Sequence, residues 1–255
     1  MARARNGEVS PGTITRRSAL EWLGGAAVLS LGSPLISACG EQRVSAADAG
    51  LGRNGDALAD NDAGFAFEPG PEAHAVYGQW RQRTVDVQQL ADVLDNWTLT
   101  VDGLVDAPLH LQFDELIDLP RQSQTTDLHC VEGWSVLDIP WTGVHMSELF
   151  DRAQVKATAT YVTFHTIGGA YNESLPLDIA LEPRSMLGYG VAGSTLPLQH
   201  GFPLRVVVPR LLGYKNAKYV QRIELTDAPL HGYWVERGYS YDGTVPEARL
   251  RPGKF

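Results

Sequence analysis

Cysteine is almost absent from this chain. Cys39 and Cys130 are the only two in 255 residues, and no C-x-x-C pair exists. Structural zinc, which wants two to four Cys/His ligands at tight spacing, is therefore excluded. Cys39 closes an N-terminal segment that reads as a targeting signal, so it is not expected to pair with Cys130, and no structural disulfide is predicted. Cations are scarce as well: 21 Lys and Arg against 30 Asp and Glu leave a formal charge of -9. Nucleic acid, whose phosphates demand a basic face, is excluded as a partner, and anionic lipid gains no general attraction. The sequence also has no G-x-x-x-x-G-K-[ST] phosphate loop, no C-x-x-C-H haem attachment and no internal repeat.

The first residues carry an address. Arg3, Arg5, Arg16 and Arg17 form a positive front, and SALEWLGGAAVLSLGSPLIS then runs mostly apolar to Ala38. Arg16-Arg17 before that stretch resembles a twin-arginine export signal. Glu21, Gly24, Gly25, Gly32 and Pro34 argue against a mature transmembrane anchor. Ile36-Ser37-Ala38-Cys39 resembles a bacterial lipobox, in which Cys39 would receive lipid; ordinary cleavage after Val44-Ser45-Ala46 is the alternative. The expected organisation is a signal over residues 1–39, a flexible Ala/Gly/Asp/Asn-rich tether over 40–76 and a catalytic domain over 77–255, monomeric and periplasmic or otherwise extracytoplasmic.

Past the tether, short strands alternate with short helices. NWTLTVDGLV, LHLQF, TTDLHCV, YVTFHTI, MLGYGV, PLRVVVP and KYVQRIELTD read as strands, with PLRVVVP apolar on both faces and therefore buried. DELIDL and GVHMSELFDRA read as helices, the latter placing Val144, Leu149 and Phe150 at mostly helical spacings. The fold class is mixed α+β, rich in sheet.

A lone Cys130 has four uses: core filler, nucleophile, zinc ligand, or ligand to a soft metal centre. A nucleophile needs a base, and His129, His145, His165 and His200 are candidates. His129, however, is a strand neighbour of Cys130 and points to the opposite face. A thiolate that is the sole protein ligand to a metal held by its own organic cofactor needs no second cysteine, and sulfur suits such a centre. The stretch LPLQHGFPLRVVVPRLLGYKNAKYV gathers His200, Arg205, Lys215 and Lys218 around glycine turns. In an acidic protein this arrangement suits an anion such as phosphate, with a solvated basic loop as the alternative.

HCVEGWS around Cys130, IPWTGVHMSELF, LGYGVAGSTLPLQHGFPLRVVVPRLLGYKNAKYVQRIEL and HGYWVERGYS together resemble the sulfite oxidase fold family of molybdopterin oxidoreductases, in particular its bacterial periplasmic methionine sulfoxide reductase branch. The resemblance spans about Trp97 to Tyr239. It implies a molybdenum-molybdopterin cofactor with Cys130 as the ligand to molybdenum. His200 and Arg205 would contact the pterin and its phosphate; Asn216, Ala217 and Lys218 would also hold the phosphate. Thr166 would lie near another cofactor contact, and Tyr189 would be the active-site tyrosine. No N-terminal cofactor contact is assigned in AVYGQWRQRTVDVQQLADVLD. The chain ends too early for the extra Ig-like domain of many sulfite oxidases. Their arginine-rich sulfite pocket is not evident near Cys130, where Glu132 follows. The expected reaction is oxygen-atom transfer from a sulfoxide-like or S/N-oxide substrate, with sulfite oxidation as the alternative. Rivals of another class are a thiol-nucleophile enzyme and a non-catalytic surface lipoprotein.

Overall fold

The computed structural model describes residues 43–45, 76, 80, 94, 96–169 and 171–255. All of them belong to one compact unit, Ala38–Phe255. The signal region 1–39, and with it Cys39, lies outside the described residues, as does most of the stretch read as a tether. Within that stretch, Arg43–Ser45 (β1) forms a strand. No helix of the described residues is long and apolar enough to cross a membrane.

Two sheets carry the domain. The first has six strands: β1, β4 (Gln122–His129), β5 (Ser135–His145), β8 (Met186–Val191), β9 (Ser194–Thr195) and β10 (Arg205–Val207). The eleven residues of β5 make it the spine, antiparallel to β4 on one side and to β8 on the other, where β1 also joins it in parallel. The second sheet runs β3 (Leu109–Gln112), β2 (Thr98–Gly103), β11 (Val220–Thr226), β6 (Tyr161–Thr166) and β7 (Asn172–Pro176). Its inner face is a run of fully buried Leu99, Val101, Val162, Phe164, Ile223 and Leu225 at alternating positions, the period-2 signature of a half-buried strand.

The helices close the gap between the sheets. Helix α1 (Phe113–Ile117) is opened by a capping box in which Glu115 accepts the backbone N–H of Gln112 at 2.8 Å. Helix α2 (Met146–Ala153) buries Met146, Leu149, Phe150 and Ala153, one stripe at helical spacing, and touches strands of both sheets. Val144, expected on this helix, instead continues β5: residues 143–145 keep their ladder to β8, and the His145 side chain then caps the helix by accepting from Ser147 N. A third short helix, α3 (Leu177–Ala180), follows β7.

Close strand approach explains one glycine. A Cβ added at Gly143 would sit 2.1 Å from the Leu187 carbonyl oxygen, so the β5–β8 contact tolerates no side chain there. Both β8 and β10 are buried at every position, as the apolar run PLRVVVP predicted for β10. Two stretches have the G-x-G-x-x-G spacing of a dinucleotide loop. Gly50–Gly55 lies outside the described residues. Gly188–Gly193 lies in β8 and its turn to β9 and opens no helix, so it is not a phosphate cradle of that kind.

Candidate active site

Cys130 follows the last residue of β4 and begins the turn that leads into β5. Its N–H donates to the Trp134 carbonyl (2.9 Å) and its own carbonyl accepts Gly133 N–H (3.2 Å). The thiol is free and half-buried. Burial pushes it above the ordinary thiol pKa. Backbone N–H groups of Glu132 and Val131 and the Arg249 charge pull the other way, while the Glu132 carboxylate adds to the rise. Uncomplexed, the thiol is therefore protonated and a poor nucleophile at neutral pH.

The four candidate histidines each make other contacts. His129 is buried with Nδ1 on Ser135 Oγ (2.8 Å), and burial lowers its pKa to about 4; Cys130 lies just past the strand's end, not within it as expected. His145 contacts Ser147 and the Glu182 carbonyl; His165 pairs with Glu224. His200 stacks on Trp80 with ring centroids 4.6 Å apart.

The second cluster forms where the two sheets join. Strand β10 reaches across to the lead-in of β11: Val206 N donates to Ala217 O, Val220 N to Leu204 O, and Arg205 bridges Lys218. His200, Arg205 and Lys218 thus come together, as the sequence suggested. Arg205 is buried; its Nη1 donates to the His200 carbonyl (2.9 Å), and its guanidinium lies 5.0 Å from the Trp80 ring and 5.3 Å from that of Trp141. Lys218 Nζ donates to the Gln199 carbonyl (3.0 Å). Burial, aided by the Arg205 charge, lowers its pKa to about 7, and burial beside the same two cations takes His200 to about 3. Gly201 makes this approach possible. It has φ +115°, and a Cβ there would be 3.1 Å from both Arg205 Cβ and Lys218 Cγ.

The remaining predicted residues take different places. Thr166 is buried at the end of β6, opposite Val220, and its hydroxyl donates to the Tyr171 carbonyl (2.7 Å). Asn216 spends its side chain on the chain itself: Oδ1 accepts Val208 N and Nδ2 donates to the carbonyls of Leu211 and Leu212. Ala217 is buried beside it. Tyr189 is buried in the middle of β8, against Phe113 (6.4 Å), and Arg121 offsets part of the rise that burial imposes on its phenol. Strand β5 separates its strand from β4, which ends at His129 just before Cys130. Lys215 departs from expectation. It is wholly buried in an ion pair with Glu173 (2.5 Å), so its charge is spent inside the fold and not offered to an anion. The 213–215 turn nevertheless borders the cysteine: a Cβ on Gly213 would lie 3.6 Å from the His129 carbonyl and 4.0 Å from Cys130 Cα.

Three contributors escaped the sequence reading. Trp80 lies in the stretch where no contact was assigned, and its only signal is an aromatic beside cations in GQWRQR. Trp141 is in sequence only one residue of the IPWTGVHMSELF motif; its indole N–H is buried with no hydrogen-bond partner among the described residues. Arg249 bonds directly to the Cys130 turn, and an Arg-Leu-Arg repeat near the end of an acidic chain is the one hint of it.

These residues fit a metal that brings its own organic ligands. Among the described residues no group of three or more His, Cys, Asp or Glu could hold a metal ion, so Cys130 can supply only one ligand. The orphaned Trp141 N–H beside Arg205 would cost about 1–3 kcal/mol if left without an acceptor, and a pterin is rich in acceptors. The desolvated Arg205–Lys218 pair suits its phosphate. A surface cleft of about 430 Å³, lined by residues including Phe150, Lys156, Leu177 and Leu181, contains none of these groups.

Comparison with known proteins agrees with this fit. The model of the oxidoreductase molybdopterin binding domain matches residues 84–234. The uncharacterized oxidoreductase YuiH of Bacillus subtilis is 41% identical over 160 residues, 63% of this chain and 80% of that protein. A putative protein-methionine-sulfoxide reductase subunit, YedZ1 of Azospira oryzae, is 35% identical over 67% of this chain and 62% of its own. The protein-methionine-sulfoxide reductase catalytic subunit MsrP of Ralstonia nicotianae is 36% identical over 51% and 44%, so this chain spans less than half of that relative's length.

Proposed function

The chain belongs to the oxidoreductase molybdopterin binding domain family, and from that premise we propose that it reduces a sulfoxide, most simply a methionine sulfoxide, to the thioether. The overall change consumes two electrons and two protons and releases water. When bound, the molybdenum-pterin group supplies the oxygen-atom exchange. Cys130 would hold the metal through Sγ, as the thiolate that metal binding enforces. Arg205 and Lys218 would hold the phosphate, His200 and Trp141 the pterin, and Thr166, Asn216 and Ala217 would shape the joint on which it rests. Tyr189 is retained as the candidate active-site tyrosine. Names of the relatives in Azospira and Ralstonia support the sulfoxide substrate.

The observation that favours a neutral sulfoxide over sulfite is the charge around the thiol. Glu132 and Arg249 act on Cys130 with opposite sign. The Arg249 guanidinium is turned onto the carbonyls of Cys130 and Trp134, and Arg251 onto Asp127 and Asp138. A dianion approaching the cysteine would meet the exposed Glu132 carboxylate, whose charge opposes that of Arg249, while Arg251 is paired with Asp127 and Asp138. Steady-state assays with a viologen donor for methionine sulfoxide, and a cytochrome acceptor for sulfite, test this. The expected result is a kcat/KM for the sulfoxide at least ~100-fold above that for sulfite, a difference of about 2.7 kcal/mol. Sulfite as the better substrate would reverse the assignment.

Lys218 gives the anion site a pH signature. Between the ordinary lysine pKa of 10.5 and about 7, the unfolded chain holds this proton and the folded chain does not. Stability of the cofactor-free protein should therefore fall as the pH drops across that window, and lose nothing further from Lys218 below it. A phosphate that pairs with charged Lys218 offsets this. The rise in melting temperature on adding inorganic phosphate should be larger below pH 7 than above it, and that pH dependence should be absent in Lys218→Met.

Export by the twin-arginine route, lipid at Cys39 and a separate membrane or soluble haem protein as electron donor complete the proposal. They rest on Arg16-Arg17, on Ile36–Cys39 and on the missing C-x-x-C-H. Mass spectrometry of the mature N-terminus tests export and lipidation together: a chain beginning at lipidated Cys39 is expected, and an unprocessed Met1 would refute both.

A further inference from the structure

We propose that Arg249 is a positioning residue for the Cys130 turn, and that its guanidinium fork fixes the direction in which the sulfur faces the metal. The inference rests on the reading of Cys130 as the metal ligand. Arg249 lies outside the span that the family model matches, residues 84–234, and nothing in that resemblance points to it.

The turn needs external support. Val131, Glu132 and Gly133 are exposed, Val131 at 42%, so little packing holds the residues that follow the cysteine. Two backbone bonds close it, from Cys130 N to Trp134 O and from Gly133 N to Cys130 O. Arg249 bridges both acceptors. Its Nη1 donates to Cys130 O at 3.0 Å, and its Nη2 donates to Trp134 O at 2.9 Å and to Ser135 Oγ at 3.0 Å. Ser135 Oγ in turn meets His129 Nδ1, so the residue before the cysteine and the residue after the turn share one network. A planar fork with fixed donor spacing can hold two carbonyls in a set relation; a lysine, with one nitrogen, cannot reproduce it. Metal ligands depend on such partners for orientation, and loss of one typically costs about 10–100-fold in metal affinity.

The fork is itself anchored. Two residues on, Arg251 donates to both carboxylate oxygens of buried Asp127 (2.5 and 2.7 Å) and to Asp138 (2.8 Å), and Lys254 also reaches Asp138 (2.8 Å). Asp127 lies at the β4–β5 register shift, where it accepts Asp138 N–H. The C-terminal segment therefore grips the hairpin at two levels: Arg251 at the bulge, which sets the segment in place, and Arg249 at the turn, which orients the cysteine.

The test uses Arg249→Gln, Arg249→Lys and Arg251→Gln, each made in a host that loads molybdopterin enzymes, and each also prepared without cofactor. In cofactor-free Arg249→Gln, hydrogen exchange at the Cys130 and Gly133 amides should rise at least ~10-fold while amides of β11 stay unchanged. In the loaded protein, the electron paramagnetic signal of pentavalent molybdenum should shift and broaden, and metal retained on dialysis should fall about 10-fold. Arg249→Lys should lie between, and Arg251→Gln, which keeps the fork's own donors, should lower the melting temperature and shift the signal less than Arg249→Gln does. An unshifted signal and undiminished retention in loaded Arg249→Gln overturn the positioning role. Wild-type protein without molybdenum overturns the reading of Cys130 instead, so the two failures are distinguishable.

Discussion

Replacing Lys215 with methionine is expected to destabilise the fold by about 3–5 kcal/mol, the usual consequence of removing one partner from a buried ion pair. Lys215 and Glu173 are both fully buried, and Nζ lies 2.5 Å from Oε1. The ammonium also donates to the Ser174 carbonyl (2.9 Å) and sits 4.4 Å from the Tyr241 ring centroid. Glu173 Oε1 further accepts Ser174 N–H, while Oε2 is buried without a partner among the described residues, so none of these offers the carboxylate a second cation. Burial already holds the Glu173 carboxyl above its ordinary pKa against the pull of Lys215, and the substitution would raise it further. A carboxyl whose folded pKa is raised loses stability as the pH rises from its unfolded value towards its folded one. The deficit of Lys215→Met should therefore be smallest in acid and grow toward neutral pH. At about 2–4 °C per kcal/mol for a domain of this size, thermal unfolding should shift by roughly 6–20 °C. The double variant Glu173→Gln with Lys215→Met removes both charges and should recover most of the loss. Equal, additive losses would mean that the pair is not coupled. The pair also touches the site, because Lys215 ends the turn whose Gly213 borders His129 and Cys130.

The second large effect is chemical. Cys130→Ser should retain the fold, changing stability by only about 1 kcal/mol, since the thiol is half-buried and the turn around it is held through backbone atoms. Metal retention should drop by more than the ~10–100-fold that follows loss of a mere supporting partner, and turnover should drop with it. The same variant separates the rivals. A nucleophilic cysteine would lose activity and keep any metal content unchanged, whereas a core cysteine would lose stability and keep activity. The raised thiol pKa and the placement of His129, His145, His165 and His200 already weigh against a nucleophile.

How far the sequence could be read depends on the kind of signal each residue carries. Strands with clean alternation or an unbroken apolar run, such as YVTFHTI and PLRVVVP, were legible because burial follows a short local period. Val144 was misread as helical because valine is apolar on either element, and only its pairing with Leu187 distinguishes them. Cys130 stood out through rarity. His200, Arg205 and Lys218 stood out as cations around glycines in an acidic chain, and Gly201 turns out to permit their approach. Lys215 looked the same in sequence, yet its charge belongs to Glu173, 42 residues earlier, and no local pattern announces a partner at that distance. Arg249 was invisible for the same reason: it reaches Cys130 across 119 residues. Trp80 and Trp141, 61 residues apart in sequence, meet edge to face at 5.6 Å, and only the fold makes them one wall of the Arg205 pocket.

The central claim is that this chain carries a molybdenum-pterin group on Cys130. Chemical analysis of molybdenum and pterin in wild-type protein, purified from a host proven to load other such enzymes, tests it most directly. The account predicts molybdenum and pterin each in near-equal proportion to protein, with the molybdenum released from Cys130→Ser prepared alongside. Wild-type protein free of both, from a host whose control enzyme is fully loaded, would contradict it.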